Sequence, residues 1–427
     1  MSFLSWLFGN ESPIRPRRAK VGLGLERLET RDTPAAFYAN PLYAGVPSWN
    51  ADTALRGVVI TPDSLAANYA TNAPDVLRSW HVNVLRVELV SDPVGQVTPS
   101  NPTAYQTQLT RYNTWLDGEI GKITKVESQL RRDGIGIIID MHDPIGGPLW
   151  GSSGAQQIFT DATVGNQFVE EWKHIADVFR NSKVVVGFDL DNEPAPPTAT
   201  PNATPAEAKP WNDLAARTER AIRAVGGENA HRTIIVEAIG GNPNNLKRLT
   251  PSAFVGPIVY SFHFYQPMHF TDYTRALADH LAHPNDPLYP APKPTDQRLP
   301  KDWQQQVDNF LAAVVKFQKD NEKYKPRIYV GEFSASLLPD GFPVDRPDGT
   351  RVAVPNSSKE RKQDVADYLK YVTDQFEQHH WDWTYHAFEE APVWNLRESF
   401  GHDLHAALWK RSTLPQKWDS NARLFTH

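Results

Sequence analysis

Glu193 and Glu332 each close a short apolar run and are followed at once by loop-type sequence, in VVVGFDLDNEP (184–194) and RIYVGEFSA (327–335). A buried β-strand reads as a run of apolar, β-branched or aromatic residues, and in a closed parallel barrel the active site forms where such strands end. A carboxylate at the core end of a strand is costly to desolvate unless paired. At the exit it can project into a cleft and serve as acid, base or nucleophile. Either residue alone is equally well a strand-end glutamate that only accepts hydrogen bonds from the next loop. Two of them in equivalent positions point to acid/base chemistry on a sugar.

Other polar residues recur at the ends of apolar runs: Arg86, His142, Asn192, His263 and Tyr265. Their common position implies a shared cleft. Cleaving a glycosidic bond with retention needs a carboxylic acid that protonates the leaving oxygen and a carboxylate about 5–5.5 Å away that attacks the anomeric carbon. The acid must keep its proton near neutral pH, so burial or a neighbouring negative charge must lift a glutamate from about 4.3 toward about 6. The nucleophile needs the opposite treatment. A guanidinium at Arg86 beside Glu332 would keep that carboxylate ionised and oriented, and Tyr265 could donate to it. Asn192 would meet the sugar hydroxyl next to the anomeric carbon.

Elements with a regular order must bring these residues together. From Arg56 onward, apolar runs alternate eight times with segments of helical period, the pattern of repeated βα units around a parallel sheet. Strands are predicted over 56–60, 82–89, 134–142, 184–190, 232–239, 257–265, 327–333 and 381–388. Helices are predicted over 63–80, 104–132, 161–180 with Asp161 as cap, 206–225, 302–323 and 359–380, with a short one near 243–250. His379 and His380 close the last helix, where the dipole favours their charge. Long connections follow the second, third, sixth and seventh strands (about 90–103, 143–160, 266–301 and 334–357). All lie at the C-terminal face of the expected (β/α)8 TIM barrel, an α/β fold with long βα loops. The 266–301 insertion is rich in Pro, His and Tyr and lacks clear periodicity.

With these residues in that order, the chain resembles glycoside hydrolase family 5, the cellulase-type family of retaining barrel enzymes. The resemblance spans about 56–390 and rests on Arg86 in LRVEL, His142 in IIIDMHD, Asn192-Glu193-Pro194, His263-Phe264-Tyr265 and Gly331-Glu332-Phe333. It implies Glu193 as acid/base and Glu332 as nucleophile. It further implies that His142 and His263 line the subsite of the cleaved sugar while Arg86 and Tyr265 support the nucleophile. One departure stands out: where the family carries a tryptophan platform at the end of the eighth strand, WTYHAFEE places His386. Trp383 or Trp394 could supply that platform instead. Trp150, Trp211, Tyr273 and Trp394 lie in segments near the groove, where stacking on sugars and packing are equally open. The implied substrate is an oligo- or polysaccharide: a β-linked glucan, mannan or related β-glycoside, with β-1,4-glucan favoured. The same residues would serve a transglycosylase, and a non-catalytic carbohydrate-binding barrel is the alternative of another class.

The composition agrees with a small or neutral partner. Net charge is −6 with 22% charged residues, so there is no broad basic field for nucleic acid or an anionic membrane. Zero cysteines exclude disulfides, thiolate metal sites and cysteine nucleophiles. His402, Asp403 and His405 show no further ligand at metal-site spacing, the glycines of 144–155 lack the strand–glycine–helix context of a phosphate loop, and GEIGK (118–122) lacks Walker spacing. No metal or cofactor is expected. No apolar run approaches the length of a membrane span. MSFLSWLF (1–8) precedes the basic cluster of Arg15, Arg17, Arg18 and Lys20, the reverse of a secretory signal's order, so no standard signal peptide is evident. LERLETRDTPA (25–35) resembles a leader motif near the start of many exported proteins of planctomycete bacteria. Residues 1–36 are therefore set apart as a leader or disordered tail. The expected protein is a single catalytic barrel over 37–427, monomeric, and secreted or placed in the cell envelope.

Overall fold

The structure is a computed structural model and describes residues 49, 54–70, 77, 82–148, 156–197, 202–285, 297–337, 342–345, 350–354 and 359–389. Eight parallel strands close a barrel: β1 (Arg56–Ile60), β2 (Val84–Glu88), β3 (Gly136–Asp140), β4 (Val185–Asp189), β5 (Thr233–Glu237), β6 (Ile258–Phe264), β7 (Arg327–Phe333) and, beyond a hairpin of β8 (Phe342–Asp345) and β9 (Arg351–Val354), β10 (Asp382–Tyr385). The last strand pairs with both β7 and β1, which leaves the barrel no edge. Each expected strand is present, shortened by up to three residues at an end. The hairpin inside the seventh connection was not expected, and neither were the short helices Met268–Thr271 and Tyr273–Ala282 in the sixth.

Helix ends follow local chemistry. Asp161 caps Ala162–Val178 through the amides of Thr163 and Val164, as expected. Thr204 and Glu207 form a reciprocal capping box at the start of Pro205–Val225. Gly134, at φ 70°, ends the helix Pro102–Asp133 in the left-handed conformation that glycine tolerates best. The fifth connection is short, as expected, and is built on the 3-10 turns Ile239–Gly241, Pro243–Arg248 and Pro251–Ala253. The first helix runs over Pro62–Ala70, and most of its expected extension to 80 lies outside the described residues.

Alternation along the strands sorts side chains into two cores. Leu55, Val84, Ile138, Ile235, Val259 and Tyr329 fill the lower barrel interior. Trp49 closes it from beneath, edge-on to Tyr329 at 5.6 Å with its indole donating to Asp382 at 2.8 Å. A side chain at position 187 would put its Cβ 2.5 Å from the Trp49 ring, so Gly187 makes room for this plug. The larger apolar core lies between strands and helices, where fully buried Trp172, Trp211 and Trp381 are among its biggest members. Each such side chain contributes on the order of 2–3 kcal/mol by leaving water. Two residues further along several strands, the inward positions change from apolar to charged.

Candidate active site

That charged layer is organised by Arg86, which is fully buried on β2. Its Nη1 donates to Glu332 Oε1 at 2.7 Å and to Glu88 at 3.2 Å, and its Nε donates to Asp189 at 3.0 Å. Its Nη2 donates to Asn192 Oδ1 at 2.9 Å and to Glu237 Oε1 at 3.0 Å, with Asp140 at 3.1 Å. Burial alone would weaken the cation, but Asp140, Asp189, Glu237 and Glu332 together hold it protonated, above even the ordinary guanidinium range. The acids outnumber it. Burial and the charge of Glu237 push Asp189 well above the usual carboxylate range.

Glu332, the penultimate residue of β7, is 6% exposed. Arg86 holds one of its oxygens, and the Tyr265 hydroxyl donates to the other at 2.8 Å. Burial opposes ionisation of this carboxyl, yet His263, His386, Arg86 and His142 outweigh it and keep the group well below its usual range. Burial and the same carboxylate push the Tyr265 phenol well up, so it stays a donor. An ionised, doubly restrained carboxylate at a strand exit is equipped to be a nucleophile.

Glu193 sits four residues past β4, with its backbone at φ 44° and its amide donating to Glu237 Oε2 at 2.9 Å. A non-glycine residue in the left-handed region costs on the order of 1 kcal/mol, and this amide bond helps hold it there. The side chain is 46% exposed, and Oε1 lies 2.9 Å from His263 Nδ1. Burial, one of the two means by which the acid was expected to keep its proton, is therefore absent, because Glu193 stands at the rim of the mouth while Glu332 lies within it. His263 is 5% exposed, with its Nε2 3.1 Å from Glu237 Oε1 and its Nδ1 also 3.5 Å from Glu332 Oε2.

His142 faces Asp140 at 3.1 Å and Glu88 at 3.4 Å through Nδ1, and its Nε2 lies 3.3 Å from Asn192 Nδ2. Burial would lower this imidazole, but Glu88 and Asp140 raise it well above its ordinary range. His386 stands edge-on to Tyr265 at 6.5 Å, and its ligand atom lies within 4.8 Å of those of Glu88 and Glu332. The structure thus gathers Arg86, His142, Asn192, Glu193, His263, Tyr265, Glu332 and His386 around one mouth.

The tryptophan expectations need correction. Trp383 cannot be a sugar platform: it is 1% exposed, packs on Phe333 at 5.6 Å and donates to Glu377 at 3.0 Å. Strand alternation sends 381, 383 and 385 toward the helices and 382, 384 and 386 inward. Trp211 is also buried, its indole donating to the Glu237 carbonyl at 2.8 Å, and Tyr273 is 7% exposed. Trp150, Trp394, His402, Asp403 and His405 lie outside the described residues. Sequence reasoning missed Glu237, Glu88, Asp140 and Asp189. TIIVE, LRVE, IIID and VVGFD carry the same apolar-run-then-acid signal that singled out Glu332.

Among the described residues, Glu88, Asp140 and His142, and also Glu88, Glu332 and His386, bring potential metal-ligand atoms within 4.8 Å of one another. Arg86 lies against Glu88, Asp140 and Glu332, supplying there the positive charge that a metal would bring. No helix among the described residues is long and apolar enough to cross a membrane.

Comparison with known proteins agrees with this geometry. A family model described as cellulase (glycosyl hydrolase family 5) matches residues 51–387. Endoglucanase C of Acetivibrio thermocellus is 26% identical over 223 residues, 48% of this chain and 60% of that protein. An endoglucanase of Paenibacillus polymyxa is 33% identical over 112 residues, 26% of this chain and 25% of that protein. The chain thus spans 60% of the length of the first of these relatives and less of the second. Among solved structures, a hyperthermophilic endo-β-1,4-glucanase in complex with substrate superposes with a TM-score of 0.53 at 19% identity, covering 84% of this chain and 97% of that one. A xyloglucan-specific endo-β-1,4-glucanase from a metagenomic library, in complex with cellotriose, gives 0.52 at 18%, covering 79% and 86%. These likenesses concern the fold. Since the family match takes in all eight barrel strands and the mouth they build, the chain belongs to the cellulase family, glycosyl hydrolase family 5.

Proposed function

We propose that this chain is a retaining endo-glycosidase of β-linked glucan, with β-1,4-glucan the favoured substrate, Glu193 the acid/base and Glu332 the nucleophile. One observation carries the assignment: the two carboxylates differ in their surroundings yet meet at the same atom, His263 Nδ1, at 2.9 and 3.5 Å. Their nearest oxygens are therefore no further apart than those two distances combined. Both carboxylates thus reach one imidazole nitrogen, which supports the close pairing, roughly 5–5.5 Å between carboxyl groups, that double displacement needs.

In the first step Glu193 gives its proton to the glycosidic oxygen while Glu332 bonds to the anomeric carbon and the leaving sugar departs. The Tyr265 hydroxyl and Arg86 fix the attacking carboxylate, so little reorganisation is needed in the transition state. In the second step Glu193 takes a proton from water, the water oxygen bonds to the anomeric carbon, and Glu332 is released as a carboxylate. Arg86 draws Asn192 toward the same mouth, where it is placed to meet the neighbouring sugar hydroxyl. The endoglucanase names of the relatives and the exposed position of Glu193 support cleavage within a polymer. A polymer substrate also suits an exported, monomeric enzyme whose catalytic unit spans 37–427.

The test is chemical. Glu332→Ala should lose several orders of magnitude of turnover on an aryl β-glycoside and regain activity with azide, releasing an α-glycosyl azide; near-wild-type activity would overturn the assignment. A reducing-sugar screen over cellulose, mixed-linkage glucan, mannan, xyloglucan and laminarin ranks the substrates.

A further inference from the structure

Glu237, the last residue of β5, is fully buried and so does not reach substrate, yet it touches three members of the site. Its Oε2 accepts from the Glu193 amide at 2.9 Å, and its Oε1 lies 3.0 Å from Arg86 Nη2 and 3.1 Å from His263 Nε2. Despite its burial, His263 and Arg86 hold this carboxyl below its ordinary range. An ionised carboxylate only accepts, so His263 Nε2 must carry a proton. The other ring nitrogen, Nδ1, faces Glu193 Oε1.

Two glycines make room for the ring where it sits. A Cβ at Gly241 would come within 3.0 Å of His263 Cγ and 2.9 Å of Glu193 Oε1, and one at Gly331 within 3.1 Å of His263 Nε2. Bare glycine backbone therefore closes on the imidazole at two places. The groups facing His263 are Glu193 from the loop after β4, Glu237 from β5 and Glu332 from β7. Arg86 reaches it through Glu237 and Glu332, and Tyr265, two residues on, is occupied with Glu332. Burial would lower the imidazole, but these carboxylates raise it well above its ordinary range.

We propose that Glu237 is the positioning residue of the acid/base, pinning the Nε2 proton of His263 so that one proton is shared between His263 Nδ1 and Glu193 Oε1. The inference rests on the assignment of Glu193 as acid/base. On Oε1 the proton is available to the leaving oxygen, and on Nδ1 it is held as imidazolium against Glu237. The Nε2 proton does not move during the cycle. The proton that leaves with the first product is returned to Glu193 by the water of the second step.

Two measurements test this. Imidazole 15N resonances of the unaltered protein should show His263 Nε2 protonated from about pH 5 to about pH 9, whereas loss of that proton near the ordinary value of about 6.5 would overturn the proposal. This readout needs no substrate, so it tests the held Nε2 proton even if the chain proves to cleave no β-glycoside, and also if the variant below fails to fold. In kinetics, Glu237→Gln should move the alkaline limb of kcat/KM down by about one pH unit. It should also slow substrates with poor leaving groups about tenfold more than activated aryl glycosides. Combined with Glu193→Ala it should add no further loss on the activated substrate, because it acts through Glu193. Equal losses on both substrate types with an unmoved pH limb would mark Glu237 as merely structural.

Discussion

Trp383 and His386 stand three residues apart near the end of the chain's last barrel strand, yet one belongs to the packing and the other to the site. Trp383 fills the layer between β10 and the helix Lys359–Gln378, against Phe333 and with its indole on Glu377, which also holds Arg56. Replacing it with alanine would remove a large buried ring and leave a cavity, a change that costs about 3–5 kcal/mol. Trp383→Ala should therefore lower the denaturant midpoint strongly while kcat/KM per folded molecule stays within about twofold, since nothing in the mouth is touched. A selective rise in KM with unchanged stability would show instead that the ring reaches sugar. The two neighbours also mark the limit of what residue types convey. Polar residues at the ends of apolar runs located His142, Glu193, His263, Tyr265 and Glu332, because a barrel strand meets solvent only where it ends, whereas Arg86, expected at a strand end, sits fully buried at the centre of β2. Glu237 carries the same local signal and was passed over: from sequence, an acid that faces substrate and an acid that faces an arginine and a histidine beneath it look alike. The half-exposure of Glu193 was equally hidden, since it depends on how far past β4 the chain travels before turning.

Between elements, the contact of the helices Pro102–Asp133 and Ala162–Val178 contains an ionisable group in an unfavourable place. Glu171 is 3% exposed, and burial, only partly relieved by a bond from Gln167 and the charge of His174, lifts its carboxyl to about 7. A folded-state value above the unfolded one means that the folded protein binds this proton more tightly. Its stability contribution is present below about pH 4.3 and is lost as pH rises toward 7, where the buried carboxylate must ionise. Glu171→Gln keeps the shape and removes that cost. Thermal unfolding should show little difference from the parent near pH 4, and a gain approaching about 2–3 kcal/mol by pH 8; a gain that does not depend on pH would exclude ionisation as the cause. The elements themselves were the most legible layer of the sequence. All eight barrel strands are runs buried over all but at most one residue, with a strong apolar signal, and caps such as Asp161 mark where helices begin. The hairpin of β8 and β9 was missed because each strand is four residues long. Tyr273–Ala282 was missed because it lies at the head of a proline-rich insertion whose overall composition obscures its period.

For the whole molecule, the question is where the barrel's support ends along the chain. Polar groups crowd the catalytic mouth, so the opposite end must be sealed by packing, and the seal includes a residue from before β1. Trp49 lies under the lower apolar layer, edge-on to Tyr329, over the gap left by Gly187, and bonded to Asp382. Asp382 in turn accepts from Arg327 and from the Leu55 amide, so the plug, β10 and β7 are fastened at one carboxylate. Trp49→Ala should open a cavity beneath the barrel and cost about 2–4 kcal/mol, read as a lower denaturant midpoint with the kinetic pH profile unchanged. Removal of residues 1–36 should behave differently. That segment precedes the plug, and its LERLETRDTPA run only resembles a leader motif, so a truncated chain beginning after it should keep the parent's unfolding midpoint and its activity. If the truncated chain fails to fold while Trp49 is intact, the stabilising contacts must reach further toward the N-terminus than the plug, and the division at residue 36 is misplaced.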